Sequence, residues 1–304
     1  MYTPYMVPDA VKWETTQICH LVAMPYPGRG HVNPMMNLCI MLASRKPDIL
    51  VSIVVTEEWH SFIKSEAKPN NVQFATIPNV IPSELEKAKN FSGFVLAVRT
   101  KMEDPFEKLL DRLEPPVTAI IADSTLSWII ALGSRKNIPV ASLWPMSATK
   151  LSLLYHFDIL KEKGHFPIEL SEIGDEVVDY IPGVSPSQIR DFPTICYGED
   201  LKFLTGALKL VELISKAQYL ILTTAYELEP EAVDALRSKY QIPVYPVGPS
   251  IPFFKLPNNP LPYNHSLAHD NVPQHLQWLN SQPNDTVLYI SYGSYLSGIK
   301  CPNG

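Results

Sequence analysis

Short apolar runs alternate with helix-like segments along most of this chain, and that alternation restricts the possible folds more than any other feature. Ile18–Met24, Leu50–Thr56 and Val72–Ile77 have the length and apolar composition of buried strands. After the first run, one face of a predicted helix is marked by apolar residues three or four positions apart: Met35, Leu38, Cys39 and Leu42. Strands that alternate with amphipathic helices form parallel βαβ units. We therefore predict an α/β fold with an open, doubly wound and largely parallel sheet.

The same alternation continues to about residue 248. Further predicted strands are Val117–Ala122 (followed by Asp123), Ile138–Trp144, Tyr219–Thr223 and Val244–Val247. Two helices are predicted to start at Asn33-Pro34 and Asp104-Pro105, because Asn and Asp cap helices and proline suits the first helical position. We assign residues 1–248 to one Rossmann-like domain.

Proline marks the end of this domain. Seven of the 29 prolines lie between Pro243 and Pro262, where few apolar residues recur periodically. This composition is typical of an interdomain linker, which we place at residues 249–272. Residues 273–304 then contain a predicted helix near 273–280 and a strand over Thr286–Ser291. One helix and one strand cannot form a domain, so we expect a second Rossmann-like domain that begins here and is truncated.

Charge and composition exclude several classes of protein. The net charge of −6 argues against nucleic-acid binding, which needs a basic surface. The first 17 residues lack the order of a signal peptide, and no apolar run approaches the ~20 residues of a membrane-spanning helix. The four cysteines form no CxxC pair, so neither a zinc site nor a redox dithiol is indicated. We expect a cytoplasmic protein without membrane insertion.

The loop after the first predicted strand contains two glycines that suggest a dinucleotide site. Gly28 and Gly30 match the first two positions of the GxGxxG pattern, but Asn33 occupies the third. Glu57 or Glu58, after the second strand, could take the place of the acid that binds ribose. The failed third glycine disfavours an NAD-dependent enzyme, although it remains an alternative.

His31 and Asp123 follow two different predicted strands, whose carboxyl ends meet at one edge of a parallel sheet. His31 precedes the predicted helix N-terminus, where the helix dipole favours a neutral ring that can accept a proton. The alternative is a histidine that only hydrogen-bonds its loop. Asp123 could orient an imidazole and stabilise the imidazolium, or it could cap the helix around 126–132. Position alone leaves both alternatives open.

Several segments, taken together and in order, resemble plant family 1 UDP-glycosyltransferases. Pro27–Pro34 (PGRGHVNP) is similar to the GHxxP loop of that family, and Val287–Ser294 (VLYISYGS) is similar to its VVYVSFGS segment. Intermediate matches are Ile121–Asp123 with Trp128, Asn137–Pro139, Tyr180–Gly183, Asp191–Pro193, Thr223–Pro230 and Val247–Pro249. The resemblance runs from about residue 18 to 295. The C-terminal signature that begins WxPQ and contains HCGWNS is absent.

This resemblance implies the N-terminal, acceptor-binding domain of a GT-B architecture and assigns roles to five residues. His31 would be the general base and Asp123 its partner. Gly28 matches the loop position that approaches the donor, and Ser294 matches the serine that faces the diphosphate. Trp144, at the end of a strand, would line the acceptor pocket or, alternatively, pack in the core. The resemblance implies UDP-sugar as the donor substrate, with no metal ion and no cofactor.

The function implied by the resemblance is transfer of a hexose, glucose, from UDP-sugar to a hydroxyl group. The acceptor would be a small lipophilic molecule such as a flavonoid, the anomeric centre would invert, and the protein would act as a monomer. The alternative is a catalytically inactive truncated form that binds only the aglycone. The gene sequence after Gly304 would distinguish them, since an enzyme needs the absent signature and a stop codon would favour the inactive form.

Overall fold

The computed structural model of the protein describes residues 18–197, 201–249 and 274–290. Its strands are β1 (Cys19–Met24), β2 (Ile49–Thr56), β3 (Val72–Ile77), β4 (Ala119–Asp123), β5 (Val140–Trp144), β6 (Val177–Val178), β7 (Ser187–Gln188), β8 (Tyr219–Leu222) and β9 (Val244–Pro246). Its α-helices are α1 (Arg29–Arg45), α2 (Glu57–Ile63), α3 (Phe91–Lys101), α4 (Glu103–Leu110), α5 (Trp128–Lys136), α6 (Ala148–Tyr155), α7 (Phe157–Glu162), α8 (Leu170–Ile173), α9 (Leu201–Ile214), α10 (Pro230–Lys239) and α11 (Gln274–Asn280).

Seven strands form one sheet in the order β3-β2-β1-β4-β5-β8-β9, and every neighbouring pair is parallel. In the register of the central strands, Val22 pairs with Ser52 of β2 and with Ile120 of β4. The strand order reverses between β1 and β4, and ligands of doubly wound folds bind at the carboxyl ends of the strands beside such a reversal. The predicted parallel, doubly wound sheet is confirmed. The short antiparallel pair β6-β7 was not predicted.

Helices cover both faces of the sheet because successive side chains of a strand point to opposite sides. In β1, Ala23 belongs to a buried cluster that contains Met35 of α1, whereas Val22 and Met24 belong to another that contains Phe94 of α3. A third cluster packs α6, α9 and α10 together beside the later strands. The carboxyl edge of β1 and β4 is thus held between two packed layers.

Helix α1 begins five residues before the predicted start. The backbone amides of His31 and Val32 both donate to the carbonyl of Gly28, at 2.9 Å each, so the helix starts at Arg29. Pro34 therefore lies inside the helix, and Asn33 is not its N-cap. Likewise α4 begins at Glu103, two residues before Pro105, so Asp104 is not an N-cap. Asn33-Pro34 therefore lies in the second turn of α1 and Asp104-Pro105 in the first turn of α4, and neither pair marks the start of its helix.

The last described segment, 274–290, differs in part from its prediction. The predicted helix is present as α11, but the described part of the predicted strand, 286–290, is not a strand. Its Leu288 and Tyr289 are exposed, and no strand among the described residues pairs with it. A β-strand needs a neighbour for its backbone groups, so the apolar pattern alone did not suffice. The predicted linker after Pro249 lies outside the described residues.

Across the ranges that the structure describes, none of the helices has the length and apolar character needed to cross a membrane.

Candidate active site

His31 and Asp123 lie together at the carboxyl edge of the sheet, where β1 and β4 are neighbours. His31 stands in the first turn of α1, directly after β1, and Asp123 is the last residue of β4. The His31 Nδ1 is 2.8 Å from the Asp123 Oδ2. The histidine side chain is 24% exposed, whereas the aspartate side chain is fully buried. The distance falls within the range of about 2.6–3.2 Å that is expected for a base and the group that orients it.

The two carboxylate oxygens of Asp123 have different partners. Oδ1 accepts hydrogen bonds from the backbone amide of Thr125 at 3.0 Å and from its hydroxyl at 2.6 Å. Oδ2 accepts from His31. Asp123 is not a helix cap, because α5 begins at Trp128 and its N-cap residue is Ser127. The turn that follows β4 therefore fixes the carboxylate that orients the imidazole.

This arrangement determines which nitrogen of His31 is available for chemistry. An ionised carboxylate can only accept hydrogen bonds, so Nδ1 must carry the proton that it donates to Asp123. The other nitrogen, Nε2, then has its lone pair available in the neutral ring and has no hydrogen-bond partner within the described ranges. The alternative that His31 only hydrogen-bonds its own loop does not describe its contacts, because its partner lies on another strand.

Gly28, the N-cap residue of α1, lies beside this histidine. Its φ of 179° is an extended conformation that any residue can adopt. A Cβ added there would lie 3.7 Å from the His31 Cδ2 and 3.7 Å from the Lys87 Nζ, which are ordinary contact distances. Neither its backbone nor its neighbours therefore require glycine. Ser294, the other predicted donor contact, lies outside the described residues.

A cavity of about 260 Å³ opens next to His31. Most of its lining is aromatic or aliphatic and comes from the segments after β1, β4 and β5 and from three helices, α3, α6 and α9. Trp144 lines the cavity and also packs in the buried cluster of α6, α9 and α10, where only 3% of the residue is exposed. Its Nε1 donates to the carbonyl of Ser147 at 2.9 Å. Both predicted roles of Trp144, lining and packing, therefore describe its position.

Several cavity residues were not identified from the sequence. Phe91 of α3 and Phe203 of α9 stack with their ring centroids 5.7 Å apart. The signal was present as helical spacing: Phe91, Val95 and Arg99 lie four positions apart on α3, and all three line the cavity. Without the fold, that spacing only predicts one face of a helix and does not show what the face contacts.

Lys150, near the start of α6, is a half-buried cation in the cavity wall. Burial lowers the pKa of its ammonium group, and the nearby Cys196 opposes this shift. Removal of water from around a charge disfavours the charged form, so this lysine is poorly solvated compared with surface lysines.

Glu229 holds the start of α6 from outside the cavity. Its carboxylate accepts from the backbone amides of Ala148 at 3.0 Å and Thr149 at 2.9 Å, and from the Thr149 hydroxyl at 2.7 Å. Burial on its own would raise the pKa of Glu229, but hydrogen bonds from Thr224, Thr149 and Ala148 outweigh it and lower the pKa. A carboxylate at a helix N-terminus also interacts favourably with the helix dipole. Glu229 thereby positions the helix that carries Lys150.

The described residues contain no group of three His, Cys, Asp or Glu side chains arranged to hold a metal ion.

Comparison with known proteins finds several glycosyltransferases. No protein-family model matches the chain. It is 52% identical over 284 residues to UDP-glycosyltransferase 87A2 of Arabidopsis thaliana, which covers 92% of this chain and 60% of that protein. It is 29% identical over 297 residues to 7-deoxyloganetin glucosyltransferase of Catharanthus roseus, with coverages of 90% and 60%. A crystal structure of UDP-glucose: anthocyanidin 3-O-glucosyltransferase in complex with UDP superimposes with a TM-score of 0.67 at 25% identity, covering 88% of this chain and 59% of that one.

The chain spans about 60% of the length of the curated relatives that it matches. Its sheet corresponds to the N-terminal part of their GT-B architecture, as predicted. The resemblance drawn from the motifs is confirmed: the chain is a homologue of plant UDP-glycosyltransferases.

Proposed function

We propose that this chain is the acceptor-binding, base-carrying part of an inverting UDP-dependent hexosyltransferase. It would transfer glucose from UDP-glucose to a hydroxyl group of a small lipophilic acceptor, such as a flavonoid. The observation that carries the proposal is the 2.8 Å contact between His31 Nδ1 and Asp123 Oδ2 beside a largely apolar cavity. An acceptor in that cavity can bring a hydroxyl to Nε2 of His31.

In the proposed reaction, His31 Nε2 takes the proton of the acceptor hydroxyl while the hydroxyl oxygen attacks C1 of the sugar. The bond between C1 and the phosphate oxygen breaks, UDP leaves with the electron pair, and the configuration at C1 inverts. Asp123 keeps the imidazole in the correct tautomer and stabilises the imidazolium as the proton arrives. The transition state has oxocarbenium character, as in other glycosyl transfers. A positioned base of this kind contributes about 10²–10⁴-fold to the rate.

Both substrates of the proposed reaction are small molecules, UDP-sugar and acceptor, and no metal ion or cofactor takes part. Backbone amides and helix N-termini can carry the charge of the diphosphate. Gly28 would let the donor approach the loop before α1, and Ser294 would face the diphosphate. The names of the relatives support glucose as the sugar, since two are glucosyltransferases. The protein would act as a cytoplasmic monomer without nucleic-acid or membrane partners, and its net charge of −6 supports the absence of a nucleic-acid partner.

The alternative is a protein that binds the acceptor without transferring sugar. It is favoured by the position of the cavity: its lining among the described residues lies between 26 and 210, so an acceptor can bind without a donor site. Orientation of donor and acceptor together is worth about 7–11 kcal/mol. We therefore propose that the 304 residues alone bind acceptor but transfer no sugar at a measurable rate.

The test is acceptor-dependent release of UDP from UDP-glucose, with mass spectrometry of the product. It would be measured for the 304-residue chain and for the longest reading frame that contains it, with a flavonol as acceptor. Glucoside formation by the longer product alone supports the proposal. Acceptor binding without UDP release by either protein would establish the binding-only alternative, and release by the 304-residue chain would overturn the proposed inactivity.

A further inference from the structure

Among the described residues, the lining of the cavity beside His31 includes two basic side chains and no carboxylate. Arg99 of α3 and Lys150 of α6 belong to its wall, and none of its lining residues is Asp or Glu. The carboxylate of Asp123, which contacts His31, is fully buried, and both of its oxygens have hydrogen-bond partners. The cavity is therefore electropositive in a protein whose net charge is −6.

Several cations elsewhere in the fold have acidic partners. Lys136 pairs with Asp111 at 2.7 Å, and Lys108 pairs with Asp104 at 2.8 Å. By contrast, neither Arg99 nor Lys150 forms an ion pair with any residue in the described ranges. A poorly solvated ammonium group is unfavourable unless something compensates for its charge. Burial lowers the pKa of Lys150, in keeping with that cost. A bound anion would supply the missing compensation.

The packing of α9 leaves room for the Arg99 side chain. Two guanidinium nitrogens of Arg99 lie 3.1 Å from the point where a Cβ at Gly206 would be, closer than a side chain there would ordinarily allow. Because Gly206 has no side chain, the guanidinium group can lie against α9 at the rim of the cavity. A planar guanidinium suits the two oxygens of a carboxylate.

We propose that the natural acceptor carries a carboxylate as well as the hydroxyl that is glucosylated. Lys150 binds the carboxylate inside the cavity, and Arg99 attracts it at the rim. The aromatic lining holds the ring that joins the carboxylate to the hydroxyl. The substrate class is thus a hydroxylated aromatic carboxylic acid. The assignment of the hydroxyl rests on the proposed function, whereas the binding of the carboxylate does not require sugar transfer.

The test compares trans-4-hydroxycinnamate with its methyl ester, which lacks the charge and carries one additional methyl group, by titration calorimetry with the 304-residue chain and no donor. We expect the carboxylate to bind at least ~10-fold more tightly than the ester, or about 1.4 kcal/mol. Lys150→Met should lower that ratio at least ~3-fold and Arg99→Met by less, because Arg99 is exposed and better screened. Lys150→Arg should keep most of the preference.

Lys209→Met is the matched control, because Lys209 is exposed on α9 and does not line the cavity. It should leave the ratio unchanged, and the affinity for the ester should report whether each variant is folded. A ratio near one in the wild type would overturn the proposal, as would an undiminished ratio in Lys150→Met. If the ratio is near one while the product of the longer reading frame still releases UDP with a flavonol, the proposed carboxylate on the acceptor is wrong and the proposed transfer stands. A high ratio without any UDP release would support the anion site and overturn the proposed transfer.

Discussion

The sheet edge that carries His31 and Asp123 and the helical wall that encloses the cavity are built in different ways. At the sheet edge, two strand ends fix the positions of two side chains, and the contact between them is 2.8 Å long. In the wall, α3, α6 and α9 contribute apolar and cationic side chains from segments far apart in the sequence. The comparison suggests that the edge determines the chemistry and the wall determines which acceptor is bound.

The largest expected effect comes from removing the proposed base, which should affect the chemistry at the sheet edge and leave binding by the helical wall intact. In the longest reading frame, His31→Ala should lower turnover by at least ~10²-fold, because proton removal from the acceptor is lost. The dissociation constant of the acceptor should change by less than about 2-fold, since the helical wall is intact. Initial rates and calorimetry would measure the two quantities.

The control for this variant is His60→Ala, which removes a partly buried histidine that lies in α2 and does not line the cavity. It should keep near-normal turnover. If His31→Ala retained turnover similar to that of the control, the sheet edge would not be the site of chemistry.

An intermediate effect is expected in the wall. Phe203→Ala removes one ring of the stacked pair with Phe91 and should weaken acceptor binding about 10-fold, through lost apolar contact. Turnover at saturating acceptor should stay within about 3-fold of wild type, because binding that is equal in ground and transition states affects KM alone. Steady-state kinetics would separate the two parameters.

Phe62→Ala is the matched control for the wall, since Phe62 packs against Trp59 with centroids also 5.7 Å apart but does not line the cavity. It should leave KM unchanged. A fall in turnover with unchanged KM in Phe203→Ala would mean that the wall takes part in the chemical step, contrary to the comparison.

The last expected effect is on stability alone, with turnover and acceptor binding little changed, and it concerns the support of the wall. Glu229→Gln should destabilise the fold by about 1–2 kcal/mol at neutral pH, because a carboxylate that accepts three hydrogen bonds at the start of α6 is replaced by an amide. The pKa of Glu229 is lowered from 4.5 in the folded protein, so this stability is present above pH 4.5 and is lost as the pH falls through the folded pKa.

Urea unfolding between neutral and acidic pH would test this support. The difference between wild type and Glu229→Gln should shrink on acidification. Glu231→Gln is the control, because Glu231 is exposed in the first turn of α10 and should have almost no effect. A difference that stays constant down to acidic pH would mean that the charge of Glu229 does not support α6.

The two regions also differ in how far the sequence predicted them. The strands that end before His31 and at Asp123 were predicted because buried parallel strands leave a strong apolar pattern, and topology then places their ends together. Pro34 misplaced the start of α1, since this proline lies in the second turn of the helix and not at its first position. The cavity side chains Phe203 and Lys150 could not be placed, because the packing of α6 against α9 and the stacking of Phe203 on Phe91 depend on contacts between distant segments.

The proposed chemistry depends most directly on the protonation of His31, which can be measured in the 304-residue chain without any substrate. Nitrogen-15 NMR of histidine-labelled protein, at a pH above the ordinary titration range of histidine, distinguishes the two neutral tautomers. We predict that His31 carries its proton on Nδ1, which donates to Asp123, and that Nε2 is bare. Asp123→Asn should move the proton to Nε2, because the new amide can donate to Nδ1. A wild-type His31 protonated on Nε2 would contradict the account, because that ring could not accept a proton from an acceptor in the cavity.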